Sequence, residues 1–330
     1  MNEQGSGLMK ICDYFYSTPD RQWEYASQLG VRYADGRMTD GRMDEIAGSY
    51  RLLKEMKDHF EERGFRLKVI EPAPPNQKIK LGLPGRDEEI ERMCTLIRNM
   101  GSLGIEVLCY NFVAYFNWER SRFDYPERGG ALVSEYDYSK TDHSVLTPYG
   151  IVTEDDMWRN FEYMQRAIVP VADESGVKLA LHPDDPPVPA IRGISRFLTS
   201  ADRIEKAINL VPGKNMGITM CQGSYQAMGE DVVECIRRFG RQGKINFVHF
   251  RDTRGDRYCF HETFHDNGPT DMAEAIRAYS ETGYHGYVRV DHVPAMAGED
   301  PEHPGYGSVG RLFAIGYLRG LLEMNGSLEE

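Results

Sequence analysis

Four side chains with metal-binding donors stand at matching places in the second half of the chain. They are His182 in LALHPDDPP, Cys221 in ITMCQGS, His249 in FVHFRD and Asp291 in VRVDH. Each closes an apolar run of strand length, so imidazole, thiol, imidazole and carboxylate recur at one topological position. No single spacing among them is a metal motif. Taken alone, a His or Cys at a strand end is ordinarily a hydrogen-bonded or small apolar core residue. A buried Asp without a partner is costly, however, and a shared cation removes that cost. The donor set does not name the ion: imidazole suits zinc, iron or nickel, thiolate the softer ions, and carboxylate manganese or magnesium.

Further candidates lie nearby. His292 follows Asp291 and joins its cavity only if the strand ends there, because neighbouring strand residues face opposite sides. Tyr306 sits in HPGYGSVGR between Gly305 and Gly307, which permit unusual backbone angles or close approach. His261, Glu262 and His265 follow the His249 strand, where a solvated loop is the plainer reading. Asp184 and Asp185 are either partners that orient a ligand or turn residues of a proline-rich bend.

Bringing four strand ends to one cavity requires parallel strands. Apolar runs predict strands at 8–14, 31–34, 66–71, 105–112, 177–182, 216–221, 245–251 and 287–292. Helices are predicted between them, at 19–29, 44–63, 88–100, 153–175, 201–210, 231–239, 271–282 and 309–323. Thr153 followed by Asp156 reads as a capping box. Near-continuous apolar strands alternating with helices imply a parallel sheet covered on both faces. Eight such units in 330 residues fit an α/β fold, a (β/α)8 TIM barrel whose loop insertions lie at the C-terminal face. We read residues 1–330 as a single barrel domain. The irregular segment of about 113–150, with Trp118 and several tyrosines, is its inserted loop over one mouth. A doubly wound open sheet is disfavoured, because no GxGxxG follows the first strand.

Bulk properties narrow the function classes. The formal net charge of −12 argues against nucleic acid as a partner, although a bound metal would still admit an anionic small molecule. Six scattered cysteines without a CxxC pair do not demand disulfides and suit a reducing cytosol. The N-terminus has no signal-peptide layout, and no run approaches the roughly 20 apolar residues that span a bilayer. A cytoplasmic location without a membrane partner, and a homo-oligomer (dimer or tetramer), are expected.

The strings HPDDPP, CQGS, HFRD, DH and GYGSVGRLFAIGYLRGL, in this order, resemble the mannonate dehydratase family, a branch of the xylose-isomerase-like TIM barrels. The resemblance runs from about residue 177 to the end and reaches back to CYNF at 109–112. It implies a hydro-lyase of hexuronate catabolism that converts D-mannonate to 2-keto-3-deoxy-D-gluconate. It implies Mn2+ as the ion, with Fe2+, Co2+, Ni2+ or Zn2+ as alternatives. The family's ligands fall on His182, Cys221, His249 and Asp291, and its acid and base on His292 and Tyr306. Asn111, Ser224, Arg251 and His265 are the expected substrate contacts. Three features depart from the family pattern: the N-terminal third lacks its usual opening, 113–138 differs, and 265–272 reads HDNGPTDM with Pro269 in place of an acidic residue.

Loss of water from a 2,3-dihydroxy acid requires removal of the C2 proton and protonation of the departing C3 oxygen. Tyr306, with its phenol pKa lowered beside the metal, is the expected base and His292 the acid, the reverse being left open. Two other readings compete. One is an isomerase or epimerase, or a dehydratase of another aldonic acid, on the same barrel. Many such isomerases bind metal through several carboxylates, so Cys221 leans against that class. The other is a non-catalytic barrel that senses a sugar acid, against which the complete quartet with His292 and Tyr306 argues.

Overall fold

A computed structural model describes residues 8–116, 118–300 and 305–329. The first half contains β1 (Lys10–Phe15), α1 (Arg21–Gln28), β2 (Tyr33–Gly36), α2 (Met43–Ala47), α3 (Tyr50–Glu61), β3 (Arg66–Ile70), α4 (Gln77–Leu81), α5 (Arg86–Leu103), β4 (Val107–Tyr110), β5 (Arg122–Pro126), β6 (Leu132–Asp137) and α6 (Glu154–Ser175). The second half continues with β7 (Lys178–Leu181), β8 (Ala190–Ile191), β9 (Ile194–Ser195), α7 (Ala201–Asn209), β10 (Met216–Cys221), α8 (Gln222–Met228), α9 (Val232–Arg241), β11 (Ile245–Phe250), β12 (Thr253–Asp256), β13 (Cys259–Glu262), α10 (Met272–Glu281), β14 (Tyr287–Val290) and α11 (Ser308–Met324).

Eight strands close a parallel barrel in the order β1-β14-β11-β10-β7-β4-β3-β2. Each neighbouring pair follows the chain, as the right-handed βαβ connection demands. The capping box at α6 forms as predicted: Thr153 and Asp156 satisfy each other's backbone N–H. The helix predicted over 44–63 is instead two, α2 and α3, broken at Gly48 and Ser49. Ser49 caps α3 by accepting from the Leu52 N–H, which competes with helix continuation.

Two cores follow from the strand periodicity. Outward residues pack against the helices in one large apolar layer. Inward residues Cys12, Val69, Val107, Cys109, Ala180, Phe247 and Tyr287 form a small plug inside the barrel. Side chains two positions further along each strand stand one layer higher, at the C-terminal mouth.

The segment read as irregular over 113–150 contains β5 and β6. These join β12 and β13, which follow β11, in a four-stranded antiparallel sheet ordered β12-β13-β6-β5. Two separate insertions thus build one structure. It is tied to the loop after β14, where Leu132 and Ala295 exchange backbone hydrogen bonds of 3.0 and 2.8 Å. Among the described residues, no helix is long and apolar enough to cross a membrane.

Candidate active site

Period-2 alternation delivers the site. Two residues above the plug residue on each strand come Glu71 after Val69, Asn111 after Cys109, His182 after Ala180, His249 after Phe247, and Arg289 then Asp291 after Tyr287. All of them line one cavity of about 220 Å³ at the mouth, together with Tyr14, Arg37, Trp118, Asp185, His292 and Tyr306. That volume is of the size of one small molecule.

The expected ligands converge. Donor atoms of His182, Cys221 and His249 lie within 4.8 Å of one another. Asp291 Oδ2 stands 3.6 Å from His249 Nδ1 and 3.9 Å from Cys221 Sγ. The local bonding suits a cation. His182 Nδ1 lies 2.7 Å from the Pro183 carbonyl, which only accepts, so Nδ1 carries the hydrogen and Nε2 keeps its lone pair. His249 Nε2 lies 3.1 Å from Glu71 Oε2, and buried Nδ1 has no hydrogen-bond partner. An orphaned buried nitrogen beside a thiol and a carboxylate is what a metal would satisfy. Burial pushes the Asp291 carboxyl up, but His292, Arg289, His249 and Arg251 outweigh it and hold the group well below its usual range.

Two other clusters have donor types that hold metals: Glu71 with Cys109 and His249, and Asp185 with Glu262 and His292. Their carboxylates are already met by guanidinium groups. Arg289 reaches Glu71 Oε2 at 3.0 Å. Arg120 and Arg251 reach Asp185 at 2.7 and 2.6 Å and Glu262 at 2.7 and 2.9 Å. Arg289 and Arg251 likewise each reach Asp291 at 2.8 Å, so guanidinium pairing is common to these carboxylates, and the unpartnered His249 Nδ1 is what marks the group with His182 and Cys221.

His292 lines the cavity because β14 ends at Val290, which releases it from strand alternation. Its Nδ1 lies 3.0 Å from Glu262 Oε1, and its ring packs 4.4 Å from Trp118 and 5.6 Å from Tyr306. Gly305, at φ +83°, passes so close to His292 that a Cβ would come within 3.1 Å of the ring. Pairing of Val293 with Gly305 then brings Tyr306 onto Tyr14, ring centroids 5.2 Å apart. The expected lowering of the Tyr306 phenol was assigned to a bound metal; the protein's own groups act the other way. Burial, then Asp291, push it well above the ordinary value, and Arg289 opposes them without winning.

Of the four expected substrate contacts, Asn111 lines the cavity and the other three do not. Arg251 is 1% exposed and its guanidinium is committed to Glu262, Asp185, Ser224 and Asp291. Ser224 donates to Cys221 Sγ at 3.3 Å and so supports the sulfur from behind. His265 is buried away from the mouth, and burial pulls its pKa down to about 4, so its ring is neutral. Each of these three thus lies outside the residues that line the cavity.

A family model described as D-mannonate dehydratase (UxuA) matches residues 30–147 and 140–328. The chain belongs to the D-mannonate dehydratase family. Mannonate dehydratase 2 of Halalkalibacterium halodurans is 38% identical over 345 residues, covering 96% of this chain and 99% of that relative. The crystal structure of mannonate dehydratase from Streptococcus suis serotype 2 matches with a TM-score of 0.89 at 32% identity, over 98% of this chain and 96% of that one. A xylose isomerase domain protein from Planctomyces limnophilus shares the fold, with a TM-score of 0.62 at 14% identity over 96% and 98% of the two chains.

Several site residues of this D-mannonate dehydratase family member were not singled out from sequence. Glu71 closes RLKVIE just as the four donors close their strands, and that repetition was a readable signal. Arg289 occupies an inward position between Tyr287 and Asp291, where a charge in an apolar strand marks a buried partner. Arg120 carried no such mark.

Proposed function

We propose that this chain dehydrates D-mannonate to 2-keto-3-deoxy-D-gluconate with a divalent ion, Mn2+ in the first place, held by His182, Cys221, His249 and Asp291. The observation that supports this most is the unpartnered His249 Nδ1 facing that cluster, in the cavity that also holds His292 and Tyr306. When bound, the ion supplies Lewis-acid stabilisation of the charge that develops beside the substrate carboxylate.

The chain's own groups handle the protons. His292 takes the C2 proton at Nε2. The C2–H electron pair is first delocalised into the substrate carboxylate, and it then forms the C2–C3 double bond as the C3–O bond breaks. Tyr306, kept as a phenol by burial, gives its proton to the departing oxygen, which leaves as water. The enol product then tautomerises to the 2-keto acid. These roles reverse the assignment favoured from sequence. Asn111 and Arg37, both at the cavity wall, are the polar contacts for the substrate. Asn111 Oδ1 accepts from Lys80 Nζ at 3.0 Å and from the Val113 N–H at 3.2 Å, so its amide NH2 is left to donate. A homo-oligomeric state belongs to the same proposal, and sedimentation of the full chain tests it.

The deciding experiment incubates Mn2+-loaded protein with D-mannonate and a panel of other hexonates. The expected product has lost one water and reacts as a 2-keto-3-deoxy acid, chelation abolishes turnover, and Mn2+ restores it. A product of unchanged mass would instead support an isomerase, and no turnover on any hexonate would remove the reading.

A further inference from the structure

Glu262 does not belong to the barrel. It ends β13, inside the antiparallel sheet made by the two insertions. It is 2% exposed, and its carboxylate accepts from Arg251 Nη1 at 2.9 and 3.0 Å, Arg120 Nη2 at 2.7 Å and His292 Nδ1 at 3.0 Å. Arg120 is itself clamped: Nη1 and Nη2 meet Asp185 at 2.7 and 3.0 Å, and Nη1 also donates to the Glu119 carbonyl at 2.9 Å. Trp118 covers the His292 ring and lies under the Arg120 guanidinium at 4.7 Å.

A carboxylate flanked by two guanidinium groups stays ionised, and an ionised carboxylate only accepts. His292 Nδ1 must therefore carry the hydrogen in this bond. Nε2 is then the one ring nitrogen left to exchange a proton with a molecule in the cavity. A carboxylate behind an imidazole fixes its tautomer and direction and stabilises the cation formed when the far nitrogen accepts a proton.

We propose that Glu262 is a positioning residue for His292, and that the inserted sheet, through Glu262, Arg120 and Trp118, sets the geometry of proton transfer in the barrel. The inference rests on the dehydratase reading for its kinetic arm only.

Two substitutions separate its elements. Glu262→Gln keeps the shape and one acceptor oxygen but loses the charge, whereas Glu262→Met removes the acceptor. With bound Mn2+ per chain equal to the parent, kcat is expected to fall about 10-fold in Glu262→Gln and at least about 100-fold in Glu262→Met, with KM little changed. The double variant Glu262→Met with His292→Asn should be no slower than His292→Asn alone, because the two act as one unit. A second readout needs no turnover. Nitrogen-15 NMR of histidine-labelled, Zn2+-loaded full chain should report His292 protonated at Nδ1 in the parent and in Glu262→Gln, and a changed tautomer in Glu262→Met. Parental kcat in Glu262→Met, or a His292 ring protonated only at Nε2 in the parent, overturns the proposal. If the parent acts on no hexonate, the dehydratase reading falls and the NMR result decides the Glu262–His292 pairing by itself.

Discussion

His249 Nε2 lies 3.1 Å from Glu71 Oε2, and this bond decides which side of the imidazole faces the donor cluster. With its hydrogen committed to Glu71, the ring turns a bare Nδ1 toward Cys221 and Asp291. Arg289 holds the same oxygen of Glu71 at 3.0 Å, so the carboxylate cannot swing away. Burial pushes the Glu71 carboxyl up, but Arg289 and His249 prevail and keep it well below the ordinary range.

Glu71→Gln should therefore weaken the metal site without removing a ligand. An affinity loss of about 10- to 100-fold for Mn2+ is expected from disturbing the partner of a ligating histidine. Titration of free Mn2+ by its paramagnetic resonance signal checks this, and parental affinity in the variant would contradict it.

The proton roles can be separated in heavy water. Tyr306→Phe should still wash the C2 hydrogen of D-mannonate out into D2O while losing at least about 100-fold in water elimination. His292→Asn should lose both. If Tyr306→Phe stops exchange and His292→Asn preserves it, the assignment is the other way round.

Arg120 is a test of the inserted sheet as a structural unit. Its guanidinium is fully buried between Asp185 and Glu262. Replacing it with Met leaves two carboxylates with Arg251 as their remaining guanidinium partner, and removing one member of a buried ion network costs about 3 kcal/mol or more. A urea midpoint for Arg120→Met equal to that of the parent would show that water or rearrangement makes up the loss.

Lys80 predicts a pH dependence. Burial, helped by Arg196 and opposed by Asp184 and Glu89, pulls its pKa from 10.5 down to about 7. Between those values the unfolded chain holds a proton that the folded chain lacks. Stability therefore rises with pH from about 7 toward 10.5, by about 1.4 kcal/mol per unit for this group. The stability gap between the parent and Lys80→Met should shift by that amount per unit between pH 7 and 9. A gap independent of pH would mean that Lys80 stays charged in the fold. The same variant should raise KM, because Lys80 Nζ orients Asn111.

The barrel and the meeting of its candidate donors were legible for one reason. Apolar alternation identifies the inward register, and the residue closing each run inherits a place at the mouth. That logic reached His182, Cys221, His249 and Asp291, and it applied equally to Glu71. It could not join Arg120, Asp185 and Glu262: Asp185 read as a ligand partner or a turn residue, Glu262 as a loop residue and Arg120 as nothing in particular, because their charges balance one another across segments far apart in sequence. Arg251, expected at the substrate, instead meets the carboxylates of Asp185, Glu262 and Asp291 inside the protein. Strands β5, β6, β12 and β13 were missed because their residues are mixed in polarity and show no continuous apolar run.

The shared sheet also orders events in time. Strand β6 must wait for β13, and three barrel strands (β7, β10 and β11) are synthesised between them. A lone pair of strands is marginal in water, and closing so long a loop carries an entropic cost that delays pairing. The sheet at the mouth thus cannot be completed until β13 has been made, and the barrel itself closes only with β14, so a polypeptide stalled before β13 has neither the outer walls of the mouth nor the strand that carries Asp291 and His292.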